Sequence, residues 1–284
     1  MTSDGLESYA LANGLKPMGV RAPLGQYLRE AWIRRDFAWT LAVLGKEAEN
    51  SRTRLGAWWS LLVPLIQSSI YGLIFGIILG SHRAPNFIPF LVTGVFLFNF
   101  VSGSFQTGAS SITSNSGLLR SISFPRIALP LSAVFRQVLN LLPTLPIMLV
   151  VILIFDHILK WEIVIMPAVI ALLFLFGLGI ALIAARLTVQ VRDLTKLLPF
   201  LTRMLFYVSG VFYTPAHLGL GETFFGTIVA INPVYAFMSL ARGALVTGYE
   251  VHAQDWAIAG VWTAVVLVFG VVYFWRAEER YGDD

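Results

Sequence analysis

The chain has 284 residues, of which 57% are hydrophobic and 13% charged, with a formal net charge of +4 and a mean hydropathy of +0.74. A water-soluble domain carries roughly 45–50% apolar and about 25% charged residues, so the excess apolar surface must face lipid, and no polar stretch is long enough for a soluble catalytic domain. The absence of cysteine excludes disulfides, thiolate chemistry and cysteine-ligated zinc, and the basic surplus fits membrane loops better than nucleic-acid binding.

Residues 1–20 are polar, without the apolar core of a signal peptide, and read as a flexible tail ahead of a single transmembrane domain over 21–284. From Leu24 to Val43, apolar and charged residues alternate at near-helical spacing (Leu24, Tyr27, Leu28, Ala31, Trp32, Arg35). That pattern predicts an amphipathic helix lying in the membrane plane, with Arg29, Arg34 and Arg35 in water and Trp32, Phe37 and Trp39 at headgroup level. A membrane span needs about 20 mostly apolar residues. Six runs qualify, at 57–80, 87–108, 127–154, 163–185, 197–214 and 256–275. Between the last two, Thr214 to Val234 is apolar but broken by Pro215, Gly219, Gly221, Asn232 and Pro233. Such backbone is tolerated at membrane depth only when protein or water covers it, which predicts a re-entrant or interfacial pair of short helices. The expected fold is an all-α integral membrane protein with six transmembrane helices, an N-terminal amphipathic interfacial helix and short re-entrant helices before the last span.

With the N-terminus inside, only Arg83, Lys160 and Arg242 of the 20 Lys and Arg residues fall on the outer side. The positive-inside rule therefore places both termini in the cytoplasm. No Asp or Glu lies in the middle of a predicted span, and Arg136 and Arg203 sit near the inner ends, within snorkelling reach of water. Ion- or proton-coupled transport thus has no evident machinery, and a charged selectivity ring is disfavoured. His82, His157, His217 and His252 fall in outer segments without the spacing of a helical metal pair, so no metal site is expected. Neither a GxSxG elbow nor a GxxxxGK[ST] phosphate loop occurs. The chain is expected to have no catalytic site of its own and to bind no cofactor. If ATP drives its work, another chain must hold the ATP.

Four short motifs carry a family resemblance. Gly56, Trp58, Trp59 and Pro64 open the first span behind Arg52 and Arg54. Asn115, Leu118, Arg120, Phe124, Pro125 and Arg126 lie between spans two and three, with Pro130 after them. Arg192-Asp193-Leu194 and the run Ser209 to Pro215 flank the fifth span. Asn232-Pro233, Arg242 and Gly248 precede the last. In order and side, these motifs resemble the permeases of bacterial ABC exporters for lipid-linked polysaccharide, of the O-antigen, capsule, teichoic acid or mycobacterial galactan type. The resemblance covers about residues 24–276; where this chain has Ser209-Gly210, that family more often has Ser-Pro.

The resemblance implies a location in the bacterial plasma membrane and a homodimer of this chain paired with two copies of a separate ATP-binding subunit, which would hold ATP and Mg. It implies that the segment with Asn115, Leu118, Arg120, Phe124, Pro125 and Arg126 contains the helix that docks in that subunit. Arginines 120 and 126 could meet acidic groups there, or only set topology. It also implies that spans one and five of both protomers line the channel. A glycan path needs polar partners and flat aromatic faces, and Trp58, Trp59, Phe98, Phe206, Tyr207, Phe212 and Tyr213 are the candidates, with packing or lipid contact as their other use. Arg34, Arg35, Arg52 and Arg54 could attract a lipid-linked diphosphate, or equally the anionic headgroups of membrane lipids. Ser102, Ser104, Gln106, Thr107, Ser110 and Ser111 make the end of span two polar, for packing across helices or for a pore. The alternatives are a membrane-embedded polymerase or transferase on lipid-linked sugars, and a drug-type ABC exporter permease.

Overall fold

The computed structural model describes residues 23–80, 83–121, 124–156, 158–219, 221 and 223–278, the side chain of Arg120 excepted; the expected tail lies outside them. Every regular element among these residues is helical. Two helices, α1 (Leu24–Ile33) and α2 (Arg35–Ser51), meet at Arg34. Small residues bring α2 onto the bundle: Ala38 and Ala42 are buried, and Gly45 leaves room for the guanidinium of Arg136. Trp32 and Trp39 stay exposed, as an in-plane helix requires. The chain then turns through Gly56, whose φ of +49° favours glycine, into a 3₁₀ turn over Gly56–Trp58 and the long helix α3 (Trp59–Ile78).

α4 (Phe87–Ser110) runs back through the middle of the bundle, with Phe90, Leu91, Val95, Phe96, Phe98 and Phe100 all buried. A 3₁₀ turn (Thr113–Asn115) and the short α5 (Ser116–Ser121) follow. α6 (Ala128–Leu141) and α7 (Thr144–Phe155) form one apolar passage broken at Leu142-Pro143, and α8 (Met166–Gln190) returns. α9 (Leu194–Val208), α10 (Phe224–Ile231), α11 (Pro233–Leu245) and α12 (Ala253–Trp275) complete the chain. Helices α8 and α12 meet through glycines: a Cβ on Gly270 would stand 2.6 Å from the Gly179 carbonyl oxygen. Small residues of this kind let backbones approach where water supplies no driving force.

Five passages are long and apolar enough to cross a membrane: Gly56–Ile78, Phe87–Ser110, Ala128–Phe155, Trp161–Gln190 and Ala253–Trp275. These match five of the six expected spans. The other expected span, 197–214, is built differently. Its helix α9 has 15 residues, about 22 Å against the roughly 30 Å of hydrocarbon. It stops at Ser209-Gly210, where Gly210 takes a φ of +66°. The crossing continues as irregular chain, with Ser209, Val211 and Phe212 buried. The broken pair also lies further along than expected: α10 and α11 bend by 73° at Asn232, so it runs over 224–245 rather than 214–234.

Because successive passages alternate, one end of the bundle carries α5 and the other the α7–α8, α10 and α11–α12 connections. At that second end Asn86 donates to Asp156 Oδ1 (2.8 Å) and Thr247 Oγ1 (2.7 Å), while the Thr247 amide donates to Asp156 Oδ2 (2.7 Å). Lys160 donates to the carbonyls of Gly243 and Tyr249. Burial pushes the nearby Tyr249 phenol up to about 12.

Candidate functional site

The irregular stretch after α9 leaves backbone carbonyls at membrane depth, where each needs a partner. One side chain supplies them. Arg242, in the last turn of α11, is fully buried and donates through Nη1 to Gly210 O (3.1 Å), through Nη2 to Val211 O (2.8 Å) and through Nε to Phe90 O (3.2 Å). Its guanidinium also lies 3.4 Å from the Phe90 ring centroid. Gly94 makes the space, since a Cβ there would be 2.5 Å from Arg242 Nη2. Asn232, the N-cap of α11, donates to Ser209 Oγ (3.0 Å) and so ties the bend of the broken pair to the end of α9. Sequence counts Arg242 only among the outer-side cations; the structure buries it within the bundle. Its signal is its isolation: from Pro233 to Val246 it is the one charged residue.

This junction supports an aromatic cluster. Phe206 and Phe212 face each other edge to face (4.9 Å), Phe98 meets Phe206 (4.8 Å), and Tyr207 completes the group at 5.8 Å from Phe206. Two rings from α3 that sequence reading missed also belong to it: Tyr71 lies 5.1 Å from Phe206, and Phe75 stacks on Phe212 at 4.0 Å. Their signal is the i, i+4 spacing of 71 and 75. Tyr213 donates to the Tyr207 carbonyl (3.1 Å). The structure thus gathers Phe98, Phe206, Tyr207, Phe212 and Tyr213 between α3, α4 and α9. Phe98, Phe206 and Phe212 are buried within this chain, whereas Tyr207 is exposed on α9. Trp58 and Trp59 stand apart, exposed at the start of α3.

At the α5 end, the segment singled out in sequence is fastened to the bundle on both sides of α5. Asn115 Nδ2 donates to Ser111 O (2.8 Å). Leu118 and Phe124 pack against a core that includes Tyr27, Ile127 and Phe274, and Phe124 also meets Phe37 of α2 at 5.0 Å. Pro125 is buried. Arg126 turns inward: its amide donates to Glu278 Oε1 (3.1 Å) and its guanidinium to the Glu278 carbonyl. Tyr27 donates to Glu278 Oε2 (2.7 Å) and accepts from the Ile127 amide (3.2 Å). Burial raises the Glu278 carboxyl above its ordinary range, against the pull of the Tyr27 and Arg126 hydrogen bonds. Neither Tyr27 nor Glu278 carries a sequence signal for this clasp, because their separation is 251 residues.

The four arginines considered for a lipid diphosphate form two pairs. Arg34 and Arg35 start α2, with Arg35 4.7 Å over the Trp32 ring; Arg52 and Arg54 follow its end. All four are exposed, but the 17 residues of α2 hold the pairs about 25 Å apart, so one diphosphate can reach only one of them. Nearby Lys46 bridges α2 to α6 through Leu139 O (2.8 Å) and Asn140 Oδ1 (2.7 Å), and burial lowers its ammonium below the usual lysine range.

Comparison with known proteins bears on this arrangement. The family model for ABC-2 type transporters matches residues 48–246. The O-antigen export system permease protein RfbA of Myxococcus xanthus is 28% identical over 256 residues, 89% of this chain and 96% of that one. Two permeases of the same name from Klebsiella pneumoniae are 26% and 25% identical, over 81% and 80% of this chain and 87% and 86% of theirs.

Proposed function

Because the chain belongs to the ABC-2 type transporter family, we propose that it is the membrane-spanning subunit of an ATP-driven exporter of lipid-linked polysaccharide, O-antigen-like in kind, acting from the cytoplasmic to the outer side of a bacterial plasma membrane. The observation that carries this reading is the likeness to the Myxococcus permease along 96% of that protein's length. In this reading two copies of the chain, each a single transmembrane domain, pair with two copies of an ATP-binding subunit, which holds ATP and Mg. Both termini and α5 face the cytoplasm.

The geometry supports a division of labour. α5 is short, bounded by Pro125 and braced through Phe124 and the Glu278 clasp, so a push on it reaches the α4–α6 junction, α1 and the end of α12 together. Because Arg126 is already engaged inside the chain, Arg120 is the cation that meets the ATP-binding subunit. The outward faces of α3 and α9, flanking the aromatic cluster, meet the second copy and form the wall of the path. Rings there give a glycan repeated weak contacts, as conduction demands.

The test has two parts. Mild-detergent isolation from native membranes should recover a second subunit bearing a phosphate loop, together with a glycolipid. Repeated isolation of this chain alone would overturn the reading. Arg120→Glu should preserve assembly of this chain but uncouple ATP hydrolysis from export; full export by that variant at equal abundance would remove α5 from the coupling role.

A further inference from the structure

A cavity of about 690 Å³ lies towards the α5 end, between α2, α3, α4 and α6. Its wall is unusual for membrane depth. Gln67 of α3, Asn99, Gln106 and Thr107 of α4, and Gln137 and Asn140 of α6 converge on it. The α4 residues recur at helical spacing and so form one stripe. Gly103 belongs to that stripe and makes room for the Gln137 amide, which a Cβ would strike.

These side chains hold one another in place without using up their capacity. Asn99 donates to Gln67 Oε1 (3.0 Å), Gln106 to Ser102 Oγ (2.9 Å), Gln137 to Thr107 Oγ1 (3.2 Å) and Asn140 to Gln137 Oε1 (3.3 Å). An amide offers two N–H donors and a carbonyl acceptor. Gln106 also donates to Thr202 Oγ1 (3.5 Å), but among the described residues the side-chain carbonyls of Asn99 and Gln106 accept no hydrogen bond, which leaves acceptor capacity in the wall. Trp59, Phe96 and Phe100 add flat apolar surfaces to the same wall.

The charge of the lining narrows the ligand. Among the described residues Glu49 is the one ionisable residue of the lining, and the nearest lysine, Lys46, stands behind the wall with its ammonium already bonded to Asn140 Oδ1 and Leu139 O. A phosphate group calls for cationic or multiple charge-assisted donors, and a carboxylate at the rim opposes it. Amide donors and acceptors interleaved with aromatic faces instead match a neutral ring bearing several hydroxyls. We propose that this cavity binds an uncharged sugar unit of the exported glycan, separately from any site that holds the lipid diphosphate. The proposal rests on the export reading above. It splits recognition in two: neutral hydroxyls here, anionic headgroup at exposed arginines.

The experiment places a photo-crosslinking amino acid at position 99 or 106 of the full transporter in native membranes, with position 265, on the exposed face of α12, as the lipid-facing control. After illumination the adducts are analysed for sugar and for phospholipid. Cargo sugars on the adducts at 99 and 106, and not at 265, are the expected result. Gln106→Leu should also lower export about tenfold, the factor that one lost hydrogen bond of about 1.4 kcal/mol is worth. If cells lacking the chain lose their surface polysaccharide but positions 99 and 106 capture only phospholipid, the cavity is a lipid pocket and the sugar site falls while the export reading stands. If the polysaccharide persists without the chain, both fall together.

Discussion

Helices α3 and α4 are both long and apolar enough to cross a membrane, yet 6% of the apolar stretch of α3 is buried within the chain against 72% of that of α4. In water such a pair could not exist, because the hydrophobic effect would pull α3 inside. In lipid, hydropathy reports only that a helix is in the membrane, and interior position is decided by shape and hydrogen bonding. α4 has the shape: Gly94, Gly103 and Gly108 admit an arginine, a glutamine and a neighbouring backbone, and its polar stripe finds partners on three helices. α3 presents Leu73, Ile77 and Ile78 outward, branched side chains suited to lipid or to a second copy.

The comparison can be broken most severely at Arg242. Arg242→Met roughly keeps the volume and removes three donors, leaving the buried carbonyls of Gly210 and Val211 without these partners and the Phe90 carbonyl with its helical bond alone. The expected cost is roughly 3 kcal/mol or more, read as loss of folded protein in detergent melts. Arg242→Lys should rescue little, because an ammonium cannot reproduce the planar fork. Next comes Gly108→Leu. A Cβ there would already be 2.6 Å from the backbone Cα of Ala181, so overpacking should cost about 1–3 kcal/mol in the same assay.

A smaller effect is expected at Glu278, and it depends on pH. Its folded pKa is raised by burial above the ordinary 4.5, so its favourable contribution is fully present below that value and is lost as pH rises through the raised one. Glu278→Gln should therefore gain on the unsubstituted protein between pH 4.5 and neutrality, followed by paired melts across that range; a difference flat with pH would place the carboxyl in an ordinary environment. The smallest effect belongs to α3. Ile77→Ala, at a position 73% exposed, should change the stability of the isolated chain by less than about 0.5 kcal/mol. If the α3 face instead meets a second copy, the same substitution will weaken the dimer while leaving the monomer's melt in place, which sharpens the contrast with Gly108.

Sequence reading found the passages that a 20-residue apolar run defines, because that signal is local: 87–108 against Phe87–Ser110, and 127–154 against Ala128–Phe155. It failed where the chain leaves the helix inside the membrane. Apolar residues 209–213 look the same whether wound or unwound, and only the carbonyl partners on Arg242 distinguish the two. The same locality explains the site. The aromatics 206, 207 and 212 were visible as a group near one span end, but Tyr71 and Phe75 join them only through packing across helices. The arginines at 34–35 and 52–54 looked like one basic region, because sequence does not display the length of the helix between them. The Ser and Thr residues around 102–110 suggested either packing or a pore; the structure gives Ser102 and Thr107 hydrogen-bond partners and a cavity together, whereas the Ser104 hydroxyl is buried without a partner among the described residues.

The clasp at Glu278 also has a consequence for how the protein is made. Tyr27 leaves the ribosome 251 residues before its partner. At about 5–20 residues per second, α1 spends roughly 12–50 s without the contact that fixes it. Through that interval every span must insert, while α1 has only the membrane surface to rest on, which its exposed Leu28, Trp32 and Ile33 equip it to do. Closure of the clasp is then a late assembly step, and it seats the first helix only in a chain whose last span is already in place.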